Sequence, residues 1–158
     1  MAATPEIPEK LRNTLDVLSL VPDRSERIQL LIDLADRFRE VPARVATRPF
    51  GEEHRVPACE SEAFVWGERR PDGTLDFHFA VENPQGVSAK ALAAVLQDSL
   101  SGQPLDQVAA VPSEVVDQLF GDLSARKAMG LMGMVSMVRN LARKAAAEPA
   151  PDPAAAPS

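Results

Sequence analysis

The chain has 158 residues, 45% of them apolar and 25% charged, and its 23 acidic against 17 basic side chains leave a formal charge of −6. A domain of this length buries roughly 68–70% of its unfolded surface and needs no disulfide or metal staple, while the acidic balance argues against a broad electrostatic grip on nucleic acid or an anionic membrane. The single cysteine, Cys59, excludes an internal disulfide framework and any zinc or iron–sulfur site that takes two thiolates from one chain.

Met1 to Lys10 lack the basic and apolar regions of a secretory signal. No apolar run approaches the roughly 20 residues of a membrane span, so the expected location is the cytoplasm. A first helix is expected from about Glu6 to Leu20, carrying Leu11, Leu15 and Leu18 and broken by Pro22. Asp23 with Glu26 then makes an Asp-x-x-Glu capping box, and Ile28, Leu31, Ile32 and Ala35, continued by Phe38, form the apolar stripe of a second helix that ends before Pro42. Pro42, Pro49, Gly51 and Pro57 punctuate a surface connection that leads into a short strand near His54–Val56. Glu62 to Arg69 reads as a strand. After the Pro71-Asp72-Gly73 turn, Leu75, Phe77, Phe79 and Val81 alternate with Asp76, His78 and Ala80, the pattern of a half-buried hairpin partner.

Asn83-Pro84-Gln85-Gly86 is a second breaker, after which Ser88 is placed to cap a helix with Leu92, Val95, Leu96 and Leu100 that stops near Gly102. A short helical turn over Pro104 to Ala110 and a short helix from Ser113 to Phe120 follow. Ser124 is placed to cap a final helix to about Lys144, with Ala128, Leu131, Met132, Val135 and Val138 on one stripe. The expected domain is 1–147, and 148–158 is an Ala/Pro-rich tail with nothing to bury, expected to be disordered. Helices, then two or three hairpin strands, then helices is a segregated order; it implies an α+β fold in which helices cover one face of a small antiparallel sheet.

Cys59 falls between breakers and a strand, in Arg55-Val56-Pro57-Ala58-Cys59-Glu60-Ser61. A thiol on such a loop can meet another molecule. The competing reading is inert packing, because cysteine is among the most buried residue types. Arg55 and His54 favour a thiolate there, and Glu60 and Glu62 oppose it. A Cys–His hydrolase would need His54 or His78 beside Cys59 with a third group orienting the imidazole. His78 lies in the polar phase of its strand and reads as a surface residue, and His54 has no evident orienting partner. There is no Gly-x-Ser-x-Gly elbow, no phosphate loop and no paired-ligand spacing for zinc.

The methionines from Met129 to Met137 fit a buried helix whose flexible side chains fill gaps, or else an adaptable binding surface. Gly130 and Gly133 each cost about 1 kcal/mol in a helix interior relative to alanine. That cost points to the close approach of another backbone, with the Cys59 loop as candidate. Arg126, in the first turn of the same helix, is placed to hold a carboxylate or to favour the thiolate if it faces that loop.

The segment Arg55-Val56-Pro57-Ala58-Cys59-Glu60-Ser61 resembles the cysteine loop of the SufE family, sulfur-acceptor proteins of iron–sulfur cluster assembly, in which the loop typically reads Val-x-Gly-Cys-x-Ser. The resemblance runs from about Lys10 to Lys144. It takes in the opening helix pair, the helix that begins Ser88-Ala-Lys-Ala-Leu, and Leu123-Ser-Ala-Arg126-Lys-Ala-Met-Gly130-Leu, similar to the family's Leu-Ser-x-x-Arg-x-x-Gly-Leu with the serine and arginine spacing shifted. Two departures bear on the fit to partners: Ala58 stands where the family often has glycine, which would leave the loop less free to adopt positive φ, and Ala63-Phe64 replaces a Val-Trp pair, with Trp66 two positions later.

The resemblance implies a SufE/IscU-like fold and a carrier that receives sulfane sulfur as a persulfide on Cys59. The donor would be a PLP-dependent, SufS-like cysteine desulfurase, which the carrier stimulates as activator and co-substrate, and the sulfur would pass to a SufBCD-like scaffold. PLP would belong to the desulfurase and no cofactor to this chain. Arg55, Ser61 and Arg126 would support the loop or meet the partner. The other reading keeps the fold as a non-catalytic partner-binding module in which Cys59 is structural.

Overall fold

The computed structural model describes residues 6–121 and 123–148, so the expected tail lies, apart from Glu148, outside the described residues. The chain order is α1 (Glu9–Ser19), α2 (Arg24–Asp36), a single 3-10 turn (Glu52–His54), β1 (Ala63–Arg69), β2 (Leu75–Val81), α3 (Val87–Leu100), α4 (Leu105–Ala109), α5 (Val115–Phe120) and α6 (Ala125–Ala147). It is an α+β fold with one two-stranded antiparallel sheet. Among the described residues no helix is long and apolar enough to cross a membrane.

The sheet pairs Ala63 with Val81, Val65 with Phe79 and Trp66 with His78. Alternate residues of a strand point to opposite faces. Ala63, Val65, Leu75, Phe77, Phe79 and Val81 therefore enter the main core with α1, α3, α5 and α6, while Phe64, Trp66 and Ala80 form a second cluster with Val41 and Phe50. This corrects the expectation of a half-buried hairpin: the segment from Glu40 to Arg55 lies across the other face, and both faces are covered. Instead of a third strand, that segment makes isolated bridges, Glu40 to Phe79 and Arg55 to Phe64, so the strand expected near His54–Val56 is a 3-10 turn followed by one bridging residue. His78, expected at the surface, is buried for the same reason, and its Nε2–H donates to Glu68 Oε1 at 3.0 Å.

Helix α3 sits at the centre, against α1, α2, α5, α6 and β2. Its small residues Ala89, Ala91, Ala93 and Ala94 are buried as fully as Leu92 and Leu96, which lets neighbours approach on every side. It begins at Val87 with Gly86 as N-cap, two residues before the expected Ser88 cap, and no side chain caps it. At α2 the expected start holds in half: Asp23 accepts from the Ser25 amide at 2.8 Å. The expected stripe is buried only in part: Phe38, just past the end of α2, packs on the core with Leu30 and Leu34, whereas Ile28 and Ile32 stay 47% and 38% exposed because α2 lies on the outside of α3.

Ser124 caps α6 as expected, accepting from the Lys127 amide at 3.3 Å. Leu131, Val135 and Val138 are buried together with Met134, and Met132 is partly buried against the core. The methionines largely fill the interior. Met129, in the second turn, is the exception at 61% exposed.

Candidate functional site

Cys59 stands in a six-residue loop whose ends are tied together: the Val56 amide donates to the Ala63 carbonyl at 2.8 Å, and Pro57 to Glu62 bulge out between them. Inside the bulge the Glu62 amide donates to the Cys59 carbonyl at 3.1 Å, so the cysteine begins a tight turn. Two non-glycine residues flank it in the left-handed region, Ala58 at φ 58° and Glu62 at φ 52°. The alanine that stands in place of glycine thus adopts the positive φ nonetheless, at a cost of about 1–2 kcal/mol for a residue with a Cβ.

The loop rests on α6 through glycine. A Cβ at Gly130 would lie 3.0 Å from Cys59 Cα and 3.1 Å from the Ala58 carbonyl oxygen; one at Gly133 would lie 3.1 Å from Val56 Cγ1 and 3.3 Å from the Pro57 oxygen. The two glycines are one turn apart and make a floor on which backbone lies against backbone, which accounts for their presence in a helix interior. Cys59 is 9% exposed in this seat and packs with the main core.

Despite that burial the thiol lines two cavities. The inner one, about 220 Å³, is walled by Ser61, by Asn83 and Gln85 of the breaker, by Val87 and Ser88 at the start of α3, and by Arg126 and Lys127 at the start of α6. The outer one, about 600 Å³ and open, is formed by Arg55, Ala58, Glu60, Arg126 and Met129. Of the expected loop supports, Arg126 donates to Glu60 Oε1 at 3.1 Å and is 80% exposed. Arg55 lies between Glu52 and Glu62 at 3.8 and 3.9 Å. Ser61 is held through its backbone, its carbonyl accepting from the Asn83 amide at 3.1 Å, and its Oγ would be 3.0 Å from a Cβ at Gly86. All three therefore surround Cys59.

His54 does not. Its ring stacks on Trp66 with centroids 5.1 Å apart, and its Nδ1–H donates to the Val65 carbonyl at 3.0 Å. That places it in the second cluster, and the cavities that Cys59 lines do not include it. His78 is tied to Glu68. Neither histidine is placed to draw a proton from the thiol. A larger groove, about 830 Å³, runs between α1, α2 and α5, lined by residues such as Arg12, Asp16, Arg27 and Asp117; it holds no thiol.

Sequence reasoning missed Lys127 and the Val87–Ser88 start of α3. Lys127 precedes Gly130 by one helical turn, so the glycine that marks the loop contact also marks the face Lys127 shares. The start of α3 reaches the site only because the hairpin returns the chain to it, and no local signal announces that.

A family model, SufE, described as an Fe-S metabolism associated domain, matches residues 12–142, a span that includes Arg55, Cys59, Ser61 and Arg126. Among solved structures, the solution structure of a hypothetical protein from Thermus thermophilus is similar over 90% of this chain and 99% of its own, with a TM-score of 0.70 and 24% identity; that likeness shows a shared fold. The comparison with curated proteins gives no match.

Proposed function

This chain belongs to the SufE family and acts in Fe–S metabolism, and on that premise we propose that it is a sulfur acceptor that carries sulfane sulfur as a persulfide on Cys59. The observation that supports this reading most directly is the placement of the chain's one thiol: its residue heads a tight turn, lines two cavities, and lies against α6 at Gly130.

The chemistry needs no more of this chain than that thiol. Cys59, as thiolate, attacks the terminal sulfur of a persulfide on the donor enzyme. A bond forms between Cys59 Sγ and that sulfur, the donor's S–S bond breaks, and the donor cysteine leaves as a thiolate that takes up the proton Cys59 gave up. Oxidised sulfur moves from one cysteine to the other, so no external oxidant or reductant enters. A second thiol nearby would release the sulfur by closing a disulfide; the chain has none. The donor of this chemistry is a PLP-dependent cysteine desulfurase, with PLP held by that partner, and the recipient is an iron–sulfur scaffold of the SufBCD kind.

Arg126 and Lys127 bring positive charge to the cavity in which the persulfide would lie, and Arg55 does so on the outer side. With desulfurase, PLP and free cysteine, and without reductant, intact mass of the wild type should show one added sulfur that reductant removes, with desulfurase turnover rising in parallel. Cys59→Ser should gain none and give no stimulation. Stimulation by Cys59→Ser at the wild-type level would instead establish the binding-module reading.

A further inference from the structure

Six large apolar side chains are exposed among the described residues; of these Met129 and Val87 line the two cavities at Cys59, and Ile28, Ile32 and again Val87 line a groove next to the inner one. Ile28, Ile32 and Val87 edge a groove of about 200 Å³ between α2 and the start of α3, with Leu31, Phe120 and Leu123 also in its lining. Val87 and Ser88 belong to this groove and to the inner Cys59 cavity, so the two lie side by side across the start of α3. Its volume suits a single large apolar side chain, the kind of central anchor that dominates protein interfaces. Exposed apolar residues gathered in one strip mark an interaction surface more often than a solvated one.

Basic side chains gather along the strip. Arg24 and Arg27 line the groove, Arg126 and Lys127 the inner cavity, and Arg55 the outer one; among the described residues Glu60, paired with Arg126, is the one acid in these linings, and Glu52 and Glu62 flank Arg55 from outside them. On a chain with 23 acids against 17 bases, where Arg55 and Arg126 are matched by acids, Arg24, Arg27 and Lys127 give these linings a basic character that suits a partner whose facing surface is acidic. A small persulfide or a free anion would have no use for the apolar groove beside it, and a nucleic acid would not fill it.

We propose, resting on the sulfur-acceptor reading, that this groove is the docking seat of the persulfide donor. An apolar side chain of the desulfurase, set in an acidic surface, enters between Ile28, Ile32 and Val87 and brings the donor sulfur to Cys59 alongside. Met129, exposed in the outer Cys59 cavity, offers the partner a further apolar contact.

The test compares wild type, Ile32→Glu, Arg24→Glu and, as an exposed apolar position outside the strip, Val17→Glu, each first shown by circular dichroism to be folded. The concentration of each that half-saturates stimulation of a PLP-dependent cysteine desulfurase is measured, and loading of Cys59 by glutathione persulfide, which needs no partner, is read by intact mass. The proposal expects Ile32→Glu to raise the half-saturating concentration about tenfold or more with glutathione persulfide loading within about twofold of wild type. Arg24→Glu should raise it several-fold, less so at high salt, and Val17→Glu should not move it.

Four outcomes overturn the proposal while the acceptor reading stands: an unchanged half-saturation for Ile32→Glu; an equal loss in Val17→Glu; a wild-type dimer that Ile32→Glu dissolves without affecting stimulation, which would make the groove a contact between copies; or a loss confined to delivery of sulfur from loaded Cys59 to a scaffold. Wild type that takes no sulfur from the desulfurase, yet is loaded by glutathione persulfide, would remove the acceptor reading itself.

Discussion

Gly130 on α6 and Cys59 on its loop touch backbone to backbone, with 3.0 Å between the Cys59 Cα and the point where a Cβ at 130 would stand. A side chain at 130 has no flexible neighbour to displace, only the backbone of residues 58 and 59. The loop must rise or the helix must retreat, and α6 is packed along its length against the core.

Gly130→Ala is therefore expected to lift the Cys59 loop. Alkylation of Cys59 by iodoacetamide, without any partner, should speed up several-fold. The roughly 1 kcal/mol gained in helix propensity offsets part of the strain, so the melting temperature should change little. Gly133→Ala, whose nearest neighbour is the Val56 methyl at 3.1 Å, should have the smaller effect. An alkylation rate equal to wild type in Gly130→Ala would show that the glycine does not set the burial of the thiol.

Ala58 holds φ 58° beside the cysteine. Ala58→Gly removes the steric cost and adds some entropy to the unfolded chain, for a net stabilisation on the order of 1 kcal/mol. Ala58→Val should destabilise, since a β-branched residue fits that region worst. Chemical denaturation of the two variants checks the order; a stable valine variant would mean that residue 58 is not held left-handed in solution.

Trp66, the one tryptophan, lies edge-on to Phe50 with centroids 4.9 Å apart, beside Phe64 and under His54. Trp66→Ala is expected to cost about 3–5 kcal/mol, as for a large aromatic in a packed core. A loss below about 1 kcal/mol would mean that the segment from Glu40 to Arg55 does not seal that face of the sheet.

Glu68 accepts hydrogen bonds from the Arg44 guanidinium and from His78, and these, Arg44 first, hold its carboxyl down to about 2 from an ordinary 4.5. A carboxyl lowered in the folded state stabilises it in full above the unfolded pKa, and that contribution fades as pH falls through the folded one. The window is thus from about 4.5 down to about 2. Urea midpoints of wild type and Glu68→Gln should differ at neutral pH and converge across that window; two curves that stay parallel would show that the Arg44–Glu68–His78 chain adds nothing to stability.

Arg126 and Glu60 form an exposed pair, and pairs of that kind contribute less than about 1 kcal/mol. Arg126→Ala should therefore leave the melting temperature close to wild type while slowing sulfur uptake from a desulfurase. Equal uptake in that variant would reduce Arg126 to a solvated helix residue.

Element types and the site were legible locally because their signals are local. Leu11, Leu18 and the Leu75-to-Val81 alternation carry their own periods, Ser124 and Gly121 bracket α6 and α5, and the breakers around Cys59 put it on a loop. Two glycines in a helix of methionines were a cost without a local return, and that imbalance pointed to the loop contact. Which face of an element is buried was less legible. α2 presents in Ile28 and Ile32 as good an apolar stripe as in Leu30 and Leu34, and the period alone does not choose between them. His78 read as polar because the segment that covers it, Glu40 to Arg55, is distant in the chain and irregular in sequence.

From its own order of residues the chain determined its helices, its hairpin, the loop position of its single thiol and, through the cysteine loop and the final helix, its family, because each depends on neighbours within a few turns. Tertiary structure alone decided that both faces of the sheet are covered, that the start of α3 and Lys127 share a cavity with Cys59, and that Ile28 and Ile32 are left outside. Those outcomes depend on which surfaces of distant segments meet, a choice made by the packing of the whole core and not by any one stretch of it.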